Sequence, residues 1–213
     1  MRPPILPLVA TCVALLLAAC SDSSAPPVAV QDAAPTARSA PPAPAVMASD
    51  TECQALVRRL PNLRMAQCTQ AALQDSGARS VKGLPLYTRD VRPETPRQRV
   101  LVIGAIHGDE LSSASVAFHW IALAQDPHIA LPQPIHWRFI PVLNPDGLFH
   151  QPPRRMNHNG VDLNRNFPTP NWERDAAIYW NQRVRRDPRR WPGPRAMSEP
   201  ETKFVHAQMV DFK

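Results

Sequence analysis

The pattern of apolar and polar residues divides the chain into strands and helices that alternate. A continuous apolar, β-branched run at residues 99–106 predicts a strand that is buried on both faces. Residues 109–124 repeat apolar side chains at helical spacing after an acidic first turn, which predicts a helix. Its apolar positions are Leu111, Ala114, Phe118, Ile121 and Ala122. The segment "HWRFIPVLNPDG" predicts a second strand that ends in a turn. Strand, helix and strand form a βαβ unit, so the predicted class is α/β, with a mixed, mostly parallel sheet flanked by helices.

Two further regions carry a readable pattern. Residues 79–91 predict a strand or hairpin with a turn at Lys82 and Gly83. Beyond Gly147 the chain is expected to be mostly irregular until Ser198, which would cap a helix with Pro200 in its first turn. The apolar positions predicted for this last helix are Phe204, Val205, Met209, Val210 and Phe212.

The first fifty residues differ from the rest in composition. Residues 1–20 combine one arginine with a short apolar stretch that ends in Leu-Ala-Ala-Cys, as in a cleaved secretory signal. This ending resembles the bacterial lipobox, which implies lipidation of Cys20; an ordinary signal with an incidental cysteine is the alternative. Because Ser21 is not aspartate, the resemblance favours a periplasm-facing anchor in the outer membrane. Residues 21–50 are rich in Ala and Pro and are interpreted as a tether, which leaves 51–213 as the domain.

Charge and cysteine usage narrow the class of protein. The net charge is +6, which is too small to argue for a nucleic-acid partner. In an exported protein Cys53 and Cys68 are expected to form a disulfide, with a pair of metal ligands as the alternative. The arginine-rich stretch "RVRRDPRRWPGPR" is compatible with an anionic partner and equally with a solvated loop.

Candidate chemistry begins in "GAIHGDE", at the predicted junction of strand and helix. His107 and Glu110 stand three residues apart, so their side chains can share one face and reach one metal ion. A zinc site needs at least a third protein ligand. The simpler interpretation is a buried histidine beside a solvated glutamate.

A second polar cluster, "RRMNHNGVDLNRNFP", favours the metal site over the simpler interpretation. Together with "GAIHGDE", "NPDG" and "SEPET", it resembles the zinc metallocarboxypeptidases, and "NRNFPTPNW" is most similar to their murein peptide amidase branch. The four motifs occur in the family's order, and the resemblance covers about residues 81–212. A polar turn is the alternative for "DLNRN" by itself.

The resemblance implies a role for each matching residue. His107 and Glu110 would be the first two ligands of Zn²⁺, and Asp162 would accept a hydrogen bond from the far nitrogen of His107. Asn164 and Arg165 would hold a substrate carboxylate. Arg155 would stabilise the oxyanion that develops on the scissile carbonyl, an assignment complicated by the neighbouring Arg154.

The family's third ligand and its general-base glutamate are not visible in this sequence. His206 lies in the predicted last helix and is a poor candidate for a ligand, as are His119 and His128. We therefore expect a C-terminally incomplete catalytic domain, either a fragment of a longer enzyme or a short product that lacks this catalysis. By itself the chain is expected to hydrolyse very little.

Three functions remain open at this point. The first is a lipid-anchored zinc peptidase or amidase that cleaves an amide next to a free carboxylate in cell-wall peptides, where the resemblance implies a γ-D-glutamyl–diaminopimelate bond. The second is an aspartoacylase-like zinc acylase, against which "NPDG" and the export signal argue. The third is a non-catalytic envelope protein that binds such peptides through Asn164 and Arg165.

Overall fold

A computed structural model of the chain describes residues 47–129 and 133–212. The predicted signal with Cys20, and all of the predicted tether except residues 47–50, lie outside the described residues. No helix within the described ranges combines the length and apolar character needed to cross a membrane.

The described residues form a mixed α/β domain. Its strands are β1 (Gln74–Arg79), β2 (Pro85–Val91), β3 (Gln98–Ile103) and β4 (Ile135–Ile140). Its α-helices are α1 (Asp50–Arg59), α2 (Met65–Ala71), α3 (Leu111–Gln125), α4 (Pro145–Leu148), α5 (Trp172–Ile178) and α6 (Pro200–Asp211). Short 3₁₀ turns at Leu163–Arg165 and Pro188–Arg190, and a π turn at Tyr179–Arg183, complete the order.

The four described strands form one sheet in the order β1-β2-β4-β3. The β3–α3–β4 segment is the predicted parallel βαβ unit, with Gln98 paired to Ile135 and Ile103 to Ile140. The other two pairings are antiparallel, so the sheet is mixed as predicted, while its parallel part is limited to β3 and β4 among the described strands. The prediction that the 99–106 strand is buried on both faces is wrong here, because β3 lies at the edge of this sheet and its apolar residues are only half-buried.

The first two strands confirm the hairpin expected around Lys82 and Gly83. Gly83 adopts a φ of +81°, and the turn closes when the Ser80 amide donates to the Leu84 carbonyl at 2.8 Å. Such a positive φ strains any residue with a side chain, which explains glycine at this position.

Helix α3 begins two residues later than the sequence pattern predicts. Glu110 is its N-cap residue rather than part of an acidic first turn, since residues 107–110 form a separate tight turn in which the Glu110 amide donates to the His107 carbonyl. The buried face contains Ala114, Phe118 and Ile121 as predicted, but Ala117 replaces the exposed Ala122.

One prediction for the C-terminal half is confirmed and one is corrected. The region after Gly147 is mostly irregular as predicted, although it also contains the seven-residue helix α5, which has no buried residue. In α6 the N-cap is Glu199 rather than Ser198, and Met209 and Val210 are exposed while Glu201 and Thr202 are buried.

The N-terminal helices α1 and α2 are joined by a disulfide between Cys53 and Cys68. Both cysteines are almost fully buried, and they pack in one apolar cluster with Leu56 and Leu73. The bond closes a loop of 15 residues, which restricts the unfolded chain more than the folded one.

Replacing both Cys53 and Cys68 with alanine is expected to lower the free energy of unfolding by about 3 kcal/mol, the entropic value for a loop of this length. Urea unfolding followed by circular dichroism would measure it. Dithiothreitol should destabilise the wild-type chain by a similar amount and leave the double variant unchanged. An equal response of both proteins to the reductant would contradict the assigned role of the bond.

Candidate functional site

The turn between β3 and α3 brings His107 and Glu110 together. Nδ1 of His107 lies 2.8 Å from Oε1 of Glu110, within hydrogen-bond distance, so the two side chains share one face of the turn. His107 is buried, whereas 46% of the Glu110 side chain is exposed to solvent. We call these two residues, the zinc ligands that the resemblance implies, the metal pair.

Asp162 contacts the other ring nitrogen of His107, Nε2. Its Oδ1 lies 3.0 Å from Nε2 of His107, as the sequence analysis expected for the far nitrogen. A carboxylate at Nε2 favours the tautomer with its proton there, and in that tautomer Nδ1 could coordinate a cation in place of its contact with Glu110. Burial by itself would raise the pKa of Asp162, but the hydrogen bond with His107 and the charge of Arg155 bring that pKa below its usual value.

Arg155 bridges the two carboxylates of the site. Its Nε donates to Asp162 Oδ2 at 3.0 Å and its Nη1 to Glu110 Oε1 at 3.3 Å. The neighbouring Arg154 points elsewhere and donates to the carbonyl of Asn157. Of the two arginines left open by the sequence, Arg155 is therefore the one that the fold places at the metal pair.

A backbone contact between Gly108 and Gly147 positions the turn that carries His107 and Glu110. A Cβ on Gly108 would lie 2.1 Å from the carbonyl carbon of Gly147, so the backbones of the two turns touch directly. Asn144 begins the "NPDG" turn. It accepts a hydrogen bond from the Gly147 amide and donates one to the Arg155 carbonyl. The "GAIHGDE" and "NPDG" motifs are thus complementary halves of one packing contact.

A buried polar network supports the loop that carries Asp162. Asn157 donates to both Glu199 and Glu201 of the "SEPET" motif, at 2.7 and 3.2 Å, and accepts from the Val161 amide. Burial raises the pKa of the Glu201 carboxyl. The sequence alone gave the two glutamates of "SEPET" no role, and the structure shows that both bind Asn157 and so support this loop.

Asn164 and Arg165 follow Asp162 in the 3₁₀ turn, which Asp162 caps by accepting from the Asn164 amide at 3.1 Å. The same carboxylate oxygen therefore contacts His107 and positions this turn. Arg165 Nη1 donates to the Asn164 carbonyl, while its buried Nε has no hydrogen-bond partner among the described residues. We call Asn164 and Arg165, to which the resemblance assigns a substrate carboxylate, the carboxylate-binding pair.

The remaining histidine candidates do not join the metal pair. His119 is exposed on α3, and His206 lies half-buried on α6. In the part of the chain that the structure describes, no three His, Cys, Asp or Glu side chains form a group arranged to hold a metal ion. The donor chemistry of the metal pair, one imidazole nitrogen and one carboxylate oxygen, fits zinc, and these residues would supply two of its ligands.

Comparison with protein families agrees with this geometry. Residues 61–212, well over half of the chain, match the family model described as zinc carboxypeptidase, and the chain belongs to that family. The resemblance carried by the four motifs is confirmed.

Curated relatives narrow the comparison. The chain is 36% identical over 129 residues to murein peptide amidase A of Escherichia coli, which covers 60% of this chain and 50% of the relative. It is also 36% identical over 128 residues to murein peptide amidase A of Vibrio campbellii, which covers 59% and 48% of the two chains. The chain thus spans about half the length of the curated relatives it matches.

Solved structures support the fold. The domain superposes on the carboxypeptidase A of Helicoverpa armigera with a TM-score of 0.54 at 22% sequence identity, covering 76% of this chain and 41% of that one. At this identity the likeness concerns the fold alone, and it confirms the predicted α/β class.

Proposed function

We propose that this chain contributes the zinc-binding half of a peptidase or amidase site that hydrolyses an amide bond next to a free carboxylate. The observation that carries the proposal is the imidazole of His107, held at Nε2 by Asp162 and directed at Nδ1 toward Glu110. A metal-binding histidine commonly has a carboxylate at its other ring nitrogen, and this is the position that Asp162 occupies at His107.

His107 and Glu110 would hold the zinc ion. When bound, zinc lowers the pKa of a coordinated water to about 7 and polarises a carbonyl oxygen. Asp162 keeps the His107 imidazole oriented. Because Glu110 is half exposed, the metal pair faces the side from which substrate would approach.

Arg155 and Arg165 would bind the substrate. Arg155 places its guanidinium against the metal pair, where it can stabilise negative charge that develops on the carbonyl oxygen. Arg165 has the planar donor fork that suits a carboxylate, and its buried Nε lacks a partner in the described structure. Together they would select an amide bond next to a carboxylate.

Cell-wall peptides are the substrate class that we propose. The support is the similarity to two proteins named murein peptide amidase A. A signal ending in Cys20 would bring the domain to the periplasmic face of the envelope as a lipoprotein, where such peptides occur. Mass spectrometry of the mature N-terminus would test the lipid anchor.

A non-catalytic function is the second candidate. Both residues of the carboxylate-binding pair lie within the described chain, whereas the metal pair would supply two ligands of the three or more that zinc requires. On this alternative the chain binds peptides that end in a carboxylate and does not cleave them.

Zinc binding distinguishes the two candidates. After equilibrium dialysis against Zn²⁺, elemental analysis should find zinc on the wild-type chain and at least tenfold less affinity for it in His107→Ala. His119→Ala, which removes an exposed histidine from α3, is the matched control and should bind zinc like the wild type. Equal zinc binding by His107→Ala and the wild type would refute the metal pair. A wild type that takes up no zinc but binds peptide through Arg165 would establish the second candidate.

A further inference from the structure

Three of the five tryptophans in the sequence line one pocket of about 300 Å³ beside α5. Helix α5 and the π turn that follows it contribute Trp172 and Trp180, and the loop of residues 191–195 contributes Trp191. Trp172, Ala176 and Trp180 repeat every four residues, which places their side chains on one face. All three tryptophans are half-buried, as expected for residues in the wall of an open pocket. We call this site the indole pocket.

A buried asparagine holds the loop that forms one wall of the indole pocket. Asn166 is fully buried, and its Nδ2 donates to the carbonyls of Pro192 and Arg195, both at 2.9 Å. Between them, Gly193 has a φ of +89°, and a Cβ at this position would lie 2.8 Å from the same Nδ2. Only glycine therefore fits, and the path of the loop is fixed before a ligand binds.

Hydrogen bonds to backbone carbonyls orient two of the indoles. Nε1 of Trp172 donates to the Arg165 carbonyl at 2.7 Å, and Nε1 of Trp180 donates to the Asp187 carbonyl at 3.4 Å. Because both ring nitrogens are used within the protein, these two side chains offer a ligand their ring faces rather than their N–H groups.

Two charged side chains in the lining of the indole pocket are unpaired. Glu173 and Arg195 are exposed, and neither side chain has a hydrogen-bond or ion-pair partner among the described residues. The Asn181 amide, by contrast, donates to the Ala177 carbonyl at 2.9 Å and accepts from Arg186 at 2.7 Å. A carboxylate accepts hydrogen bonds and a guanidinium donates them, so the lining offers both kinds of contact to a ligand.

The charges around the indole pocket disfavour a charged ligand. A cation would meet Arg195 and also Arg186, whose guanidinium carbon lies 5.9 Å from the centre of the Trp180 ring. An anion would meet the unpaired carboxylate of Glu173. Repulsion between like charges thus favours a neutral ligand with apolar faces and a polar edge.

We infer that the indole pocket binds a neutral saccharide, with a sugar ring against the indoles and its hydroxyl groups at Glu173 and Arg195. The C–H groups on the face of a sugar ring carry a small positive charge, which the negative face of an indole attracts. The hydroxyl groups at the edge of the sugar both donate and accept, which matches the guanidinium and the carboxylate. The volume is at the lower end of the range for small-molecule sites and suits the end of a sugar chain.

Titration of the full chain with uncharged trisaccharides tests this inference. The probes are cellotriose and tri-N-acetylchitotriose, and the comparison is cyclohexanol, a ring of similar size with one hydroxyl group. The indole N–H signals in NMR spectra report binding at each tryptophan. At least one trisaccharide should shift the signals of Trp172, Trp180 and Trp191 saturably and leave that of Trp120 unchanged. Its Kd should be at least tenfold lower than that of cyclohexanol.

Two variants separate the polar contact from the aromatic one. Glu173→Gln should weaken trisaccharide binding about fivefold, the effect of one lost hydrogen bond to a charged group. Trp180→Ala should weaken it about tenfold through the loss of one stacked ring. Glu94→Gln and Trp120→Ala remove an exposed carboxylate and an exposed indole elsewhere, and as matched controls they should leave the Kd unchanged.

The inference is overturned if neither trisaccharide gives saturable shifts, if neither variant weakens binding, or if cyclohexanol binds as tightly as the trisaccharides. If Trp180→Ala does not fold, Glu173→Gln and Arg195→Gln decide, because each replaces an exposed side chain without a partner in the described chain. None of these measurements requires zinc or catalysis. The result is therefore independent of the metal pair, of the carboxylate-binding pair and of the proposed function.

Discussion

Replacing Asp162 with alanine is expected to lower the free energy of unfolding by about 3–5 kcal/mol, the cost of breaking a buried ion pair by removing one partner. Asp162 is fully buried, and only 13% of the Arg155 side chain is exposed. The substitution also removes the acceptor for His107 and the cap of the turn that carries Asn164. Urea unfolding monitored by circular dichroism would give the difference, and zinc affinity should fall about 10–100-fold with the loss of an outer-shell partner.

An exposed carboxylate provides the control for this prediction. Asp175 pairs with Arg174 at 2.7 Å, and 54% of the Asp175 side chain is exposed, so Asp175→Ala should cost no more than about 1 kcal/mol. Similar losses in Asp175→Ala and Asp162→Ala would show that the Asp162 network does not stabilise the domain.

The stability that Asp162 contributes should also depend on pH. Because its pKa in the folded chain is lowered, the stabilisation is complete above the usual pKa of an aspartate and is lost as the pH falls through the lower folded value. The gap in unfolding free energy between wild type and Asp162→Ala should therefore be constant at neutral pH and close only in strong acid. A gap that closes between pH 7 and pH 5 would contradict the assignment.

Among substitutions that add one methyl group to the site, Gly108→Ala is expected to be the most destabilising. It should lower the free energy of unfolding by roughly 3 kcal/mol, the upper end of the range for overpacking. The new Cβ would lie 2.1 Å from the Gly147 carbonyl carbon and 2.2 Å from the Leu148 nitrogen. Both neighbours are backbone atoms of a buried turn, so they cannot move aside as a flexible side chain would. The metal pair should shift with the displaced turn, and zinc affinity should fall as well.

Gly77→Ala separates this steric effect from the general cost of replacing glycine. A Cβ on Gly77 meets no atom within 4 Å, but its φ of +80° strains any other residue, so a loss of about 1–2 kcal/mol is expected. Zinc binding should be unchanged in Gly77→Ala and reduced in Gly108→Ala. If Gly108→Ala unfolds no more readily than Gly77→Ala, the direct contact between the two turns is not required.

The order of elements could be predicted because it depends on local pattern. Apolar periodicity located α3 and the two strands of the βαβ unit, and the turn at Gly83 followed from residue chemistry. Boundaries were less accurate, since α3 begins only after the tight turn of residues 107–110, which apolar periodicity does not reveal. Helix α5 was not predicted, because the apolar stripe of Trp172, Ala176 and Tyr179 is short and only half-buried.

The sequence by itself determined which residues can do the chemistry: an imidazole and a carboxylate three residues apart at a strand-to-helix junction, and an Asp-Leu-Asn-Arg turn downstream. Only the tertiary structure decided that these groups meet. Asp162 contacts His107 from 55 positions away in the sequence, and Arg155 contacts Glu110 from 45 positions away. The pairing of β3 with β4 and the contact of Gly108 with Gly147 bring these segments together. The tertiary structure also placed Trp172 of α5 and Tyr179, the residue after it, against Arg165. The physical reason is that side-chain chemistry and periodicity are local properties, whereas distances between remote segments depend on how complete elements pack.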